Sequence, residues 1–225
     1  MKSFEIITIL LTAGSLLSLF FYRNKGPFLY LLFVAAIAAI AQYLFDGLRW
    51  QMLATIYILP AMFITYKYKI VNRFTGTILG AWFLIAAFIP WAVPVFTMPA
   101  PEGDFSIGSE TFHWIDSSRL EWFTDENDND VREIMVQAWY PSENSDSIGT
   151  NSYMDFMKLR SKTLASAGKI PAFLPSHLNM ISTNTRNDVA CSDKLEKYPV
   201  LIFSHGITGS RHLHQILFEH LASKG

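Results

Sequence analysis

Over the first hundred residues charged positions are sparse and apolar ones nearly continuous. Four stretches, 6–22, 26–45, 50–66 and 74 to about 95, contain no Asp, Glu, Lys or Arg and are dominated by Leu, Ile, Phe, Ala and Tyr. Each is close to the roughly 20 residues that cross a hydrocarbon core. Backbone groups in lipid must be satisfied internally, and none of the runs alternates with a period of two, so the pattern predicts four transmembrane helices rather than a barrel. Pro60 is expected to kink the third. The other reading, a buried helical core in a soluble protein, would have to hide four such runs within 225 residues. Arg23 and Lys25 follow the first run without a small-residue cleavage site, so that run reads as a retained anchor.

Beyond the apolar runs the pattern changes. Pro94, Pro99 and Pro101 predict an extended linker over 93–103. Short β-prone stretches at 110–115 and 133–140 flank the acidic run 124–130, which has the turn chemistry of an antiparallel hairpin. Ser152 can cap a helix over 153–167, closed by Gly168, with Met154, Met157 and Leu164 among its apolar residues. Packing on the sheet is its expected place; the alternative is a lid or lipid-touching surface, which the apolar residues 171–174 would extend. After Pro199, Val200, Leu201, Ile202 and Phe203 are apolar on both faces, as a central parallel strand requires. Ser204, His205 and Gly206 break that run. Leu213, Ile216, Leu217, His220 and Leu221 then recur at helical spacing from Arg211 onward. Strand, glycine-containing loop and helix together make half of a βαβ unit.

Composition adds that 51% of residues are hydrophobic and only 16% charged, which excludes a disordered chain. A net charge of −1 hides a division: residues 1–100 carry a balance of +5 and residues 101–225 one of −6. We therefore expect two regions, 1–98 transmembrane and 99–225 globular. Arg23 and Lys25 in the first loop, with Lys67, Lys69 and Arg73 in the third, resist translocation and place those loops in the cytoplasm. Only Lys2 runs against that orientation, which leaves everything after about residue 99 extracytoplasmic. No basic face of the size nucleic-acid binding needs is present, so nucleic acid is not an expected partner. The single cysteine, Cys191, excludes an intrachain disulfide framework and a multi-cysteine zinc site. Uncharged spans give no sign of an ion or proton path.

Candidate chemistry concentrates at 204–210. Loops after the carboxyl ends of parallel strands face the crevice where ligands bind, and their N–H groups can be aimed at a developing oxyanion. Gly206 and Gly209 would let the backbone approach a ligand or take positive φ. Ser204 and Ser210 lack an evident base and read as loop or cap hydroxyls. His212 and His214, two apart on a helix, face different ways and are not a chelating pair. Asp125, Asn127 and Asn129 invite a calcium reading, but Asp130 stands where the loop glycine belongs and Val136 where the bidentate Glu belongs.

Three motifs then carry a resemblance: P-x-G-x-F-S-I-G at 101–108, R-E-I-M-V-Q-A-W-Y-P at 132–141, and Y-P-V-L-I-F-S-H-G at 198–206. In this order they resemble the platelet-activating factor acetylhydrolase family of α/β-hydrolases, in the bacterial form with an N-terminal membrane region. The resemblance implies that Ile207, just after S-H-G, offers its backbone N–H to an oxyanion hole, with His205 and Gly206 shaping the loop. The family's usual S-H-G-L-G stands here as Ser204, His205, Gly206, Ile207 and Thr208. An amide donor tolerates the change to Ile; Thr208 is the larger departure. The family's G-x-S-x-G elbow does not occur in these 225 residues. The expected fold is thus a four-helix transmembrane region followed by an incomplete α/β-hydrolase domain, lacking nucleophile, acid and base and inactive by itself. The implied activity is carboxylic ester hydrolysis on short acyl esters or phospholipids, with membrane lipid as partner and no cofactor; the sequence does not give the oligomeric state. A non-catalytic membrane protein with an outer ligand- or partner-binding domain is the alternative from another class.

Overall fold

A computed structural model describes residues 1–22, 26–122, 124, 127, 129–143, 150–206 and 209–225. The chain forms two compact units, Met1–Phe96 with Lys158–His177, and Thr97–Met157 with Leu178–Gly225.

The first unit is built on four apolar helices: α1 (Ser3–Phe21), α2 (Gly26–Ala41), α3 (Leu53–Lys67) and α4 (Arg73–Ala92). A π-helical turn, Gln42–Asp46, extends α2, and a 3-10 turn, Trp50–Met52, leads into α3. Asn72 caps α4 by accepting the Thr75 N–H at 2.9 Å. Three segments, Ser3–Phe21, Gly26–Asp46 and Arg73–Ala92, are long and apolar enough to cross a membrane. At 15 residues α3 is shorter than that, with Pro60 inside it. It is nevertheless tied to α4, because Thr55 donates to the Ala86 carbonyl at 3.3 Å and the Trp82 indole to the Ala54 carbonyl at 3.1 Å.

Small and polar side chains line the interior of this unit. Thr8, Thr12, Ser15 and Ser18 follow one face of α1 and are buried, beside Leu19, Phe28, Ala35, Ala39, Ile58 and Met62. Thr8, Thr12 and Ser15 each donate to the carbonyl four residues earlier, so those hydroxyls are satisfied within the helix. Phe21, Phe33, Phe74 and Leu84 point outward instead. Small residues inside let helices approach closely, and large apolar ones outside suit a hydrocarbon solvent.

One end of the unit buries charge. Arg49 Nε lies 2.6 Å from Glu5 Oε1, with both side chains almost fully covered. Arg49 also donates to the Pro90 carbonyl, and Lys2 Nζ to the Asp46 carbonyl at 2.8 Å. Residues 158–177, which include most of the 153–167 helix expected against the sheet, cluster with these helices. The Trp50 indole N–H donates to the Leu174 carbonyl at 3.1 Å, and its ring meets Phe173 and His177 edge-on. Burial pushes the His177 imidazole below its usual value. Helix α5 (Met157–Gly168) begins later than the predicted 153, because Ser152 bridges to Ser182 in extended conformation instead of capping.

The second unit holds a three-stranded sheet in the order β2–β1–β3, with β1 (Ser106–Leu120), β2 (Val131–Ser142) and β3 (Thr185–Arg186). The predicted hairpin is present and longer at both ends, running in register from Ser106↔Ser142 to Asp116↔Arg132. A register shift follows, where the Asp116 carboxylate accepts from the Ser118 N–H and hydroxyl. Strand β3 pairs parallel to β1 at Ile107 and Gly108. The last element, α6 (Gln215–Ala222), starts four residues after the predicted Arg211 because 211–214 form a turn.

Candidate active-site loop

The three sequence motifs meet in the second unit, and their glycines explain why. Gly108 sits opposite Tyr140 in the β1–β2 register, and a Cβ there would lie 2.2 Å from the Tyr140 ring. The Tyr140 hydroxyl then reaches the Val189 carbonyl at 2.8 Å. At Gly103 a Cβ would fall 1.9 Å from the Ser223 carbonyl oxygen. That close approach lets Gly103 N–H donate to Ser223 Oγ and Phe105 N–H to Ser223 O, both at 3.0 Å. Phe105 meets Tyr198 edge-on with ring centroids 5.8 Å apart. The first motif thus touches the second through Gly108 and the start of the third through Phe105.

Residues 200–203 do not form the predicted central strand. They join no ladder among the described residues, and Ile202 is 94% exposed. A strand apolar on both faces gains from burial only between neighbours, and here β1 is flanked by β2 and β3. Phe203 is held instead by side-chain packing. Its ring lies 4.9 Å from His214 and 5.2 Å from Phe218, and Phe218 lies 4.7 Å from Trp139 of β2.

The loop itself is tight. Gly209 N–H donates to the Gly206 carbonyl at 2.7 Å, and His205 Nδ1–H donates to the same oxygen at 2.9 Å. Gly206 does not take positive φ. A Cβ at Gly206 would meet nothing, whereas one at Gly209 would press on Gly206 O and His205 Cβ at 3.0 Å. A side chain at Gly209 would therefore push its neighbours aside by a few tenths of an ångström, and Gly206 has an open side among the described residues. Ile207 and Thr208 lie outside the described residues, as do Asp125 and its neighbours 126 and 128 in the acidic turn. Within that turn Asp130 accepts from Thr124 Oγ1 at 2.8 Å, and Asn127 Oδ1 from the Asn129 N–H at 3.1 Å.

Just beyond the loop lies a charged clamp that sequence reasoning missed. Arg211 donates to the Asp155 carboxylate and, through Nε, to Gln137 Oε1 at 2.9 Å. Gln137 in turn donates to Ser109 Oγ at 2.8 Å, so the end of the loop is pinned to both long strands. The other Asp155 oxygen is 3.3 Å from His212 Nε2, and His212 Nδ1 is 3.1 Å from Ser210 Oγ. Hydroxyl, imidazole and carboxylate fall in the order of a nucleophilic triad. Two features weigh against that role. Ser210 Oγ also accepts the His212 backbone N–H, as a turn cap does, and the Arg211 guanidinium takes up much of the carboxylate's charge. His214 faces Phe203 and Phe218, so the two histidines do serve different faces. The only sequence signal for the clamp was a charged residue, Arg211, inside an otherwise neutral loop; its partner Asp155 could not be chosen without the fold.

A family model described as platelet-activating factor acetylhydrolase, isoform II, matches residues 93–225. No curated protein matches the chain. Among solved structures, a ferulic acid esterase from Streptomyces cinnamoneus is 24% identical, with 44% of this chain and 26% of that chain covered and a TM-score of 0.33. The chain therefore spans about a quarter of that protein's length.

Proposed function

The chain belongs to the platelet-activating factor acetylhydrolase, isoform II family, and from that premise we propose that it forms the membrane-anchored N-terminal part of a carboxylic ester hydrolase. The family match over 93–225 carries this reading. Residues 1–98 serve as the membrane region and 99–225 as the first part of the hydrolase domain, extracytoplasmic if Arg23, Lys25, Lys67, Lys69 and Arg73 face the cytoplasm. The substrates are short acyl esters or phospholipids, met at the bilayer surface. Attack by a serine on the ester carbonyl turns its oxygen into an oxyanion; the acyl group passes to the serine and then to water. The backbone N–H of Ile207 is the proposed donor to that oxyanion, with Gly206 leaving the approach open and His205 bonding the adjacent Gly206 carbonyl. The Arg211–Asp155–Gln137 clamp supports the role by fixing one end of the loop.

Replacing the donor tests the assignment. In the intact protein in its native membrane, Ile207→Pro removes the N–H and should lower kcat for a short-chain ester by about 10²–10³-fold. Ile207→Leu keeps the N–H and should stay near wild type. Equal loss in both variants, or in neither, would remove Ile207 from the mechanism. Topology is tested separately with single cysteines at Asp125 and Lys69 in a Cys191→Ser background. An impermeant thiol reagent should label only the former.

A further inference from the structure

The second unit contains a cavity that borders the Arg211–Asp155–Gln137 clamp and has no role in the ester hydrolysis proposed above. Its volume is about 340 Å³, within the range of small-molecule sites. Its wall includes Asn151, Tyr153, Asp155, Phe156, Asn187 and Gln215. We propose that this cavity binds a small, uncharged, polyhydroxylated ligand, a sugar or the glycerol unit of a lipid.

The first argument is an unmet acceptor. Gln215 is 3% exposed, and its Nε2 donates to Glu219 Oε1 at 2.9 Å, yet its Oε1 finds no hydrogen-bond partner among the described residues. A buried carbonyl left without a donor is costly, so a ligand hydroxyl delivered there is stabilising. Charge is the second argument. Asp155 is the one carboxylate among the lining residues, and Arg211 and His212 engage its two oxygens. An anion would face that carboxylate and the Gln215 oxygen, while a cation would compete with a guanidinium already in place. Amides suit neither ion in particular, but they match hydroxyls, which donate and accept at once. Asn151 donates through Nδ2 to Asn187 Oδ1 at 2.8 Å and to Thr185 Oγ1 at 3.1 Å, which fixes both amides and leaves Asn151 Oδ1 and the Asn187 amide N–H to face a ligand.

The third argument is Phe156. Its backbone takes φ of 48°, a region that bulky residues rarely adopt, and its side chain is 74% exposed. Such strain persists where the surroundings impose it and clusters at ligand sites. Here it sets an aromatic ring beside a polar cavity, where the C–H face of a sugar or glycerol could lie against it.

The test uses the full chain in a detergent with an amine-oxide headgroup, so that no sugar or polyol headgroup competes. Saturation-transfer NMR is run with D-glucose, glycerol, acetate and tetramethylammonium. Transfer to glucose or glycerol and not to the two ions is the expected result. Preference for glucose points to a sugar and preference for glycerol to a lipid backbone. Transfer to neither polyol, or equal transfer to an ion, overturns the proposal. Gln215→Leu should weaken polyol binding roughly tenfold by removing the acceptor. Phe156→Gly separates binding from folding, because glycine relaxes the backbone strain while losing the ring. Its thermal midpoint should hold or rise while polyol binding falls. Binding unchanged in both variants would also overturn the assignment.

Discussion

Both units expose large apolar side chains, but they do so for different reasons. In the helical unit Phe21, Phe33, Phe74 and Leu84 stand outside while Thr8, Thr12 and Ser15 stand inside. Exposure there is distributed over helices, and the buried hydroxyls of Thr8, Thr12 and Ser15 are satisfied within α1. In the sheet unit the exposed residues Val200, Leu201, Ile202 and Phe203 are consecutive and sit in a backbone without a ladder. An outward phenylalanine is uninformative alone; what lies behind it decides how its exposure is read.

The comparison can be broken at several points. The largest effect is expected where the helical unit buries charge. Glu5→Gln leaves Arg49 without its counter-charge and should lower stability by about 3–5 kcal/mol, measured by unfolding in detergent. The double replacement Glu5→Leu with Arg49→Met should recover most of that loss. Next, Leu84→Arg puts a charge near the centre of α4 on its outer face and should cost about 2.5–3.5 kcal/mol of membrane insertion, read by a glycosylation-site reporter. A cost near zero would make that face water-exposed.

A smaller effect is expected at His177. Its depressed value means that the unfolded chain binds a proton more readily than the folded one, so stability is complete above about 6.5 and declines as pH falls from there toward the folded-state value. Hydrogen exchange over 158–177 should quicken across that window, and His177→Gln should flatten the dependence. The smallest effect is expected at Ile202→Lys, within about 0.5 kcal/mol in this chain because the side chain is exposed. In a form of the protein where 200–203 are paired on both sides, the same change would be severe. The ratio of the two costs measures how much pairing on both sides contributes at position 202.

Much of the local structure was legible. Alternation and turn residues gave the hairpin, and its ends were underestimated because Ser106, Gly108 and Ser109 have weak strand propensity and are recruited by pairing with 139–142. Apolar runs gave the helices. What failed needed partners distant in the chain: Arg49 finding Glu5, Trp50 finding Leu174, and Arg211 finding Asp155. Residues 200–203 failed for the converse reason, since their pattern states a need for neighbours without supplying them. Of the loop residues singled out beforehand, His205 and Gly206 are placed in the turn, while the Ile207 amide rests on family resemblance.

The Trp50 contact with 173–177 also bears on how the protein is made. The helical unit is discontinuous, and its last segment leaves the ribosome only after the first strands of the sheet unit have been translated. At about 5–20 residues per second, the early helices wait several seconds for Phe173 and His177 to arrive. During that interval the Trp50 indole has no Leu174 carbonyl to bond, so the nascent chain is exposed to chaperones and proteases at a site the finished protein closes.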